Sequence, residues 1–313
     1  MRRPDGSWEI YDDYVLDFAL ERMRAGEKVA IVTLAFIEGS SPRQPGAQMA
    51  VSETGQWVGY LSGGCIERAI VAEALQALEA GENRRVRYGR GSKYFDIQLP
   101  CGSAIELVFD VGMSLEEIAA IDARLQHRLS AAMVAPACDG GDAFSFSYQP
   151  RRRLVVLGIG PAAVSLVRLG QSVGCEVTLY SPDRPTMDEL KPTGAEIVPI
   201  AGIGNVPALD ADTRTAIVFM FHDHRWEAKL LPAALQTDAF YIGALGSHKT
   251  QQVRIEELRR QGIAPEQIAR IRGPAGLFSG AKNAPDIALS ILAEIVRAET
   301  PEQKLPLPAL RTA

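Results

Sequence analysis

The sequence predicts a two-domain α/β protein whose second domain is built on a parallel sheet. Its length of 313 residues favours two domains over one. In the second half, a buried strand, a glycine turn, a helix and another strand follow one another within about 30 residues, which is typical of a βαβ unit. We predict an N-terminal mixed α/β domain at 1–135, a turn-rich linker at 136–150 and a C-terminal domain at 151–313.

Charge and hydropathy exclude several classes of protein. The net charge of −5 provides no basic footprint, so we expect no nucleic-acid partner. No apolar run reaches the ~18 residues that a membrane-spanning helix needs. Arg2 and Arg3 resemble the start of an export signal, but the next residues are acidic and lack an apolar core. We therefore expect a cytoplasmic protein with no membrane partner.

Apolar periodicity defines the elements of the first half. Helical spacing of apolar residues predicts three helices, and β-branched or alternating runs predict strands. The predicted helices are 8–24, 66–80 and 115–129, and the predicted strands are 29–36, 48–52, 57–61, 84–88 and 104–111. The segments 39–46 and 89–102 are rich in glycine and polar residues, and we predict that both are loops.

The second half contains short, continuously apolar runs, as expected of strands that are buried on both faces of a sheet. We predict strands at 154–157, 176–180, 216–221 and 239–245, and helices at 161–173, 250–261 and 285–298. The order of the first three elements predicts a Rossmann-like parallel sheet.

A glycine turn joins the first predicted strand of this domain to its helix. The segment from Gly158 through Gly160 to Ala163 fits the pattern G-x-G-x-x-G/A, in which the backbone approaches a pyrophosphate at a helix N-terminus. Gly158 and Gly160 are therefore candidate nucleotide-binding residues. Asp183 is the candidate acidic residue for the ribose, but it comes late and follows a proline. The alternative is that the glycines serve tight packing and no dinucleotide binds.

Two of the four cysteines lie in glycine loops. Cys65 follows Gly63 and Gly64 at a predicted helix start, where the helix dipole stabilises a thiolate. Cys101 precedes Gly102 in a tight loop. The alternative is that both are small buried side chains. No C-x-x-C pair occurs, which excludes a zinc ribbon and a thioredoxin-type site.

Four further residues are candidates for a site. His222, Asp223 and His224 follow a predicted strand, where they would bind a metal, line a ligand crevice or make structural hydrogen bonds. A third metal ligand is not evident nearby. Glu67 is a candidate general acid or base, although a glutamate in the first turn of a helix commonly serves only the helix dipole.

Several longer motifs resemble the XdhC/CoxI family. In the first half these are GSSPRQPGAQM at 39–49, SGGCIE at 62–67 and LPCG at 99–102. In the second half they are FMFHDH at 219–224, YIGALGS at 241–247, IRGPAGL at 271–277 and PDIALSILAEI at 285–295. Phe221 stands where the family commonly has threonine.

The resemblance implies an accessory protein of molybdenum hydroxylases such as xanthine dehydrogenase, aldehyde oxidoreductase and CO dehydrogenase. Such a protein binds the molybdenum cofactor, as molybdopterin or its cytidine dinucleotide form, assists its sulfuration with a cysteine desulfurase and delivers it to the apo-hydroxylase. We also expect a homo-oligomer. The alternatives are an NAD(P)-dependent oxidoreductase that uses the glycine turn, and a scaffold for the apo-enzyme without a small ligand.

The resemblance and the residue chemistry together give a set of candidate positions. Arg43 is expected to make a bidentate phosphate contact, and Cys65 and Cys101 are expected to be soft ligands for the metal. The predicted cofactor-binding residues are Arg43, Gly63, Gly64, Cys65, Glu67, Cys101, Gly102, Gly158, Gly160, His222, Asp223 and His224. We expect no catalytic residues in the chain itself.

Overall fold

The computed structural model describes residues 12–64, 66–92, 103–203, 205, 207–278 and 280–299. The chain divides into two compact units, Met1–Pro150 and Arg151–Ala313. Within the described residues, no helix is long and apolar enough to cross a membrane.

The first unit is a mixed α/β layer structure around a five-stranded sheet. In chain order its elements are α1 (Asp12–Arg24), β1 (Val29–Glu38), β2 (Gln48–Ser52), β3 (Trp57–Gly59), α2 (Glu67–Ala80), β4 (Arg84–Gly89), β5 (Ala104–Asp110), α3 (Leu115–Gln126), β6 (Ala131–Ala135) and β7 (Phe144–Tyr148). The sheet has the order β3-β2-β1-β5-β4, and each neighbouring pair is antiparallel. Helix α2 packs on one face, and α1 and α3 pack on the other. The first seven residues of β1 are therefore buried without alternation.

The stretch predicted as a linker contains a strand instead. β7 pairs antiparallel with β6, which the sequence did not predict. Alternation of aromatic residues with serine from Phe144 to Tyr148 is the period-2 pattern of a half-buried strand. Tyr148 is buried, and its hydroxyl donates a hydrogen bond to Gln48 of β2. The hairpin is thereby attached to the sheet of the first unit.

The second unit contains six parallel strands with helices on both faces. Its elements are β8 (Arg153–Gly158), α4 (Pro161–Ser172), β9 (Glu176–Ser181), α5 (Arg184–Leu190), β10 (Glu196–Pro199), β11 (Thr215–Met220), α6 (His224–Leu235), β12 (Tyr241–Ala244), α7 (His248–Arg260), α8 (Pro265–Ile268), β13 (Ile271–Arg272) and α9 (Ala284–Glu299). Helices α4 and α9 cover one face of the sheet, and α6 and α7 cover the other.

The strand order confirms the predicted Rossmann-like domain. The sheet runs β10-β9-β8-β11-β12-β13, which is the order 3-2-1-4-5-6 of a doubly wound dinucleotide-binding fold. The direction of winding reverses between β8 and β11. In open parallel sheets, ligands bind outside the carboxyl ends of the strands at this reversal. The glycine turn after β8 and the segment that follows β11 both lie at that edge.

The sequence did not predict five of the short or irregular elements of this unit, which are α5, β10, α6, α8 and β13. Helix α6 begins at His224, shortly after the end of the strand predicted at 216–221, and it contains Pro232. β10 and β13 have four and two residues, too few to show a period.

Candidate functional site

The loops that carry the first-half motifs meet at one edge of the five-stranded sheet. In this antiparallel order, β1, β3 and β4 end at the edge where β2 and β5 begin. A Cβ placed on Gly39, after β1, would lie 3.1 Å from the Cβ of Ser103, before β5. A Cβ placed on Gly63, after β3, would lie 3.8 Å from Cγ of Pro42. Distant motifs of the sequence are thus brought together.

Glu67 follows the loop that leaves β3 at this edge. It opens α2, it is 3% exposed, and its carboxylate accepts five hydrogen bonds from the segment that precedes the helix. Oε1 accepts from the backbone N–H of Leu61 at 3.1 Å and of Ser62 at 2.8 Å. Oε2 accepts from the Ser62 hydroxyl at 2.7 Å, the Gly64 N–H at 3.0 Å and the Ile66 N–H at 3.2 Å.

These hydrogen bonds determine the charge state of Glu67. Burial by itself raises the pKa of the carboxyl, but the hydrogen bonds from the Ser62 side chain and from the backbone of Ser62 and Leu61 outweigh burial and hold the pKa below its ordinary value. Glu67 is therefore an ionised acceptor at neutral pH, with its oxygens engaged by its own chain. That state suits a structural anion better than a general acid.

The hydrogen bonds to Glu67 also require the two glycines at positions 63 and 64. Gly63 has φ +79° and Gly64 has φ +108°, a region that other residues rarely adopt. These angles turn the backbone so that Gly64 donates its N–H to Glu67. We call residues 61–64 and 66 the diglycine loop.

Arg43 lies in the neighbouring loop and stacks on an aromatic ring. The carbon of its guanidinium is 4.7 Å from the ring centroid of Tyr60, a cation–π contact. Its backbone N–H donates to the Ser41 hydroxyl at 3.2 Å. A guanidinium held by its face can direct its N–H edge towards a phosphate. Tyr60 was missed by sequence reasoning, although an aromatic residue directly after β3 was the available signal.

Three of the predicted positions, Cys65, Cys101 and Gly102, lie outside the described residues. Within the described part of the chain, no group of three or more His, Cys, Asp or Glu side chains could hold a metal ion. The two described cysteines are Cys138 and Cys175, and burial raises the pKa of both thiols.

The glycine turn of the second unit has contacts of its own. A Cβ on Gly158 would lie 2.6 Å from the Cβ of Met220, so the glycine permits β8 and β11 to approach each other. Gly160 has φ +83°, and its N–H donates to the hydroxyl of Thr186 at 2.8 Å. That hydroxyl donates in turn to Asp183, which also accepts the N–H of Thr186 as the N-cap of α5. Asp183, the candidate ribose acceptor, is thus engaged within the domain.

The segment after β11 is a strand-to-helix turn. Asp223 is the N-cap of α6, accepts the Arg225 N–H at 3.0 Å and forms an ion pair with the Arg225 side chain at 2.6 Å. His222 is exposed, and the side chain of His224 lies outside the described part of the structure. Phe221 is buried and stacks on Trp226, with ring centroids 5.4 Å apart.

A buried ion pair holds the loops at the same edge of the parallel sheet. Arg254 of α7 and Glu227 of α6 are 3% and 2% exposed, and their side chains meet at 2.9 Å. Arg254 also donates to the carbonyl of Leu245, directly after β12, at 2.8 Å. The pair therefore ties the loop after β12 to helices α6 and α7. The chain is, by its architecture, an α/β protein with a mixed first unit and a Rossmann-like second unit.

Comparison with known proteins identifies the family. Residues 22–89 match the model of the XdhC and CoxI family, and residues 154–295 match the model of the XdhC Rossmann domain. The molybdenum cofactor insertion chaperone PaoD of Escherichia coli strain K12 is 33% identical over an alignment of 302 positions, which covers 91% of this chain and 89% of that protein. The chain belongs to the XdhC and CoxI family, which confirms the resemblance seen in its motifs.

The chain is also similar to a second bacterial protein and to one solved structure. A probable xanthine dehydrogenase subunit of Bacillus subtilis strain 168 is 24% identical over an alignment of 327 positions, which covers 90% of this chain and 96% of that protein. The crystal structure of a Bacillus halodurans protein described as a xanthine dehydrogenase superposes with a TM-score of 0.76 at 20% identity, over 95% of this chain and 98% of the other. The likeness to the crystal structure shows a shared fold.

Proposed function

We propose that this chain binds the molybdenum cofactor and inserts it into a partner enzyme of the molybdenum hydroxylase class. The likeness to the Escherichia coli insertion chaperone over most of both chains supports the proposal. One structural observation carries the proposal. The loop between β1 and β2, which contains Arg43, and the diglycine loop converge at one edge of the first unit's sheet.

The residues at this edge fit the chemistry of such a cargo. Molybdopterin carries a phosphate, and the stacked guanidinium of Arg43 is suited to a bidentate contact with it. Gly63 has no side chain to keep a ligand away from the loop. The thiolates of Cys65 and Cys101, two residues outside the described part of the structure, are the proposed soft ligands of the metal centre. The group arrives as cargo, and its redox chemistry takes place in the client enzyme.

The finer parts of the function are proposals as well. The cargo is molybdopterin or its cytidine dinucleotide form, and its sulfuration is assisted by a cysteine desulfurase that docks on the loaded chain. The client is an apo-hydroxylase of the xanthine dehydrogenase, aldehyde oxidoreductase or CO dehydrogenase type. The working form is a homo-oligomer in the cytoplasm. The relationship to a probable xanthine dehydrogenase subunit supports the choice of client class.

A second candidate function is an NAD(P)-dependent oxidoreductase. The strand order of the second unit and its glycine turn favour it. Three features count against it: the Gly160 N–H is engaged by Thr186, Pro161 has no N–H to offer a phosphate, and Asp183 caps α5. Calorimetric titration with NAD and NADP distinguishes the two candidates. We expect no heat of binding at ~1 mM nucleotide, and a micromolar Kd would favour the oxidoreductase.

The cargo itself is tested by analysing protein purified from a molybdenum-replete host. We expect bound molybdenum together with a pterin that becomes fluorescent after release and oxidation. A chain that is folded yet carries neither, and that takes up neither when mixed with isolated cofactor, would contradict the proposal.

A further inference from the structure

The diglycine loop is arranged around an anion that belongs to the chain itself. Four backbone N–H groups, those of Leu61, Ser62, Gly64 and Ile66, point at the Glu67 carboxylate. Converging N–H groups before a helix are a common binding site for phosphate or another external anion. In this protein the carboxylate occupies that place, with 3% exposure.

Both sides of the loop depend on this carboxylate. Oε1 receives the two N–H groups at the start of the loop, and Oε2 receives the two N–H groups of Gly64 and Ile66. Gly64 and Ile66 are the neighbours of position 65 in the chain. One carboxylate oxygen therefore fixes the backbone on either side of that position. The Ser62 hydroxyl adds a third bond to Oε2 and accepts the Ile66 N–H at 3.2 Å.

We propose that Glu67 is a positioning residue, an internal anion that sets the conformation of the diglycine loop in which the cofactor is loaded. The loop then leaves the phosphate of the cargo to the stacked guanidinium of Arg43, since four of its own N–H groups are engaged. The part of this inference that concerns loading rests on the proposed function, whereas the ordering of the loop does not.

Glu67→Gln is the direct test. The amide is nearly isosteric, but its NH₂ group faces donors at one of the two oxygen positions, so one half of the loop loses its acceptor. We expect backbone hydrogen exchange at Gly64 and Ile66, or at Leu61 and Ser62, to become about tenfold faster or more. We also expect the alkylation rate at Cys65 to rise severalfold while that at Cys138 stays unchanged, and most of the bound pterin to be lost.

Glu117→Gln is the matched control. Glu117 lies in the first turn of α3 in the same unit, and it likewise accepts the backbone N–H and the hydroxyl of Ser114, at 2.8 Å and 2.9 Å. The control removes the same charge and the same kind of contact at a distant helix start. The control should make backbone hydrogen exchange near Ser114 faster, and it should leave the pterin content and the alkylation rate of Cys65 as in the wild type.

The outcomes separate the two levels of the inference. If backbone hydrogen exchange in the diglycine loop of the Glu67→Gln variant is unchanged, the ordering role is overturned. If exchange is faster but the pterin content is full, the loading role is overturned. A folded wild-type chain that carries no pterin and takes up none from isolated cofactor would refute the proposed function, and hydrogen exchange of the loop would then still decide the ordering role. If Glu67→Gln does not fold, Ser62→Ala removes one donor to Oε2, and a smaller change of the same signs is required of it.

Discussion

The guanidinium of Arg254 and the carboxylate of Glu227 form two parallel hydrogen bonds of 2.9 Å, from Nε to Oε2 and from Nη2 to Oε1. Both side chains are almost completely buried between α6 and α7. Because Arg254 also reaches the Leu245 carbonyl and the Gln251 side chain, its removal leaves several polar groups without their partner. The geometry makes this pair a structural element of the second unit.

Removal of Arg254 should therefore destabilise the protein strongly. We expect Arg254→Met to lower the free energy of unfolding by about 3–5 kcal/mol, because the buried carboxylate of Glu227 loses both hydrogen bonds and the opposite charge of Arg254. The double variant Arg254→Met with Glu227→Gln should recover part of the loss. Denaturant unfolding monitored by circular dichroism measures both. A loss below ~1 kcal/mol in the single variant would contradict the burial of the pair.

Asp110 predicts a pH dependence of stability in the first unit. It is 7% exposed, and burial, helped by the charge of Glu117, raises its pKa, although the Gly112 N–H bond opposes the shift. An acid whose pKa is higher in the folded state than in the unfolded state destabilises the fold when it is ionised. The cost of its charge is therefore fully present above the folded-state pKa and is lost as the pH falls from that value to the pKa of the unfolded state.

Asp110→Asn should for this reason stabilise the protein at neutral pH by about 1 kcal/mol, since the amide keeps an acceptor for the Gly112 N–H. The gain should vanish near pH ~3, where the wild-type carboxyl is protonated. Thermal unfolding at both pH values gives the comparison, with the exposed Asp142→Asn as control. A gain that is equal at both pH values would show that the charge of Asp110 is not its cause.

The stacking of Arg43 on Tyr60 predicts that lysine at this position retains the cofactor less well than arginine. Lysine keeps the charge but provides neither a planar face for Tyr60 nor a bidentate fork. We expect Arg43→Lys to weaken cofactor retention about tenfold or more, and Arg43→Ala to weaken it further. Retention is measured as released pterin per chain after gel filtration.

The matched control for Arg43 is Arg68→Lys, at an exposed position of α2 close in sequence to the diglycine loop. Its pterin content should equal that of the wild type. Equal losses in the Arg43→Lys and Arg68→Lys variants would mean that only general surface charge matters. Full retention in Arg43→Ala would remove Arg43 from the proposed site.

Much of the fold followed from periodicity, and the exceptions have physical causes. The strands of the parallel sheet are continuous apolar runs, and the glycine turn marks β8 and α4, so the Rossmann-like unit was predictable. The strand β7 was overlooked because its serines and the turn before it suggest a loop, although its alternation with aromatic residues indicates a strand. Helix α6 was missed because Asp223, between two histidines, suggests a ligand more readily than the helix cap that it is.

The site was predictable as a set of loops but not as a set of contacts. The glycine and proline motifs indicated which segments are irregular and carry polar chemistry. The role of Glu67 depends on N–H groups that only the folded turn directs inwards, and the contact from Gly160 to Thr186 joins residues 26 positions apart. Such contacts follow from the approach of β8 and β9, which no local pattern encodes.

Transfer of the cofactor is the most direct test of the central claim. A client hydroxylase made in cells that lack this chain should be folded and carry its iron–sulfur clusters but lack active molybdenum cofactor. We predict that the purified, loaded chain restores its activity when the two are mixed, and that the Cys65→Ala variant restores less. Full client activity in cells without this chain or any second member of its family would contradict the account.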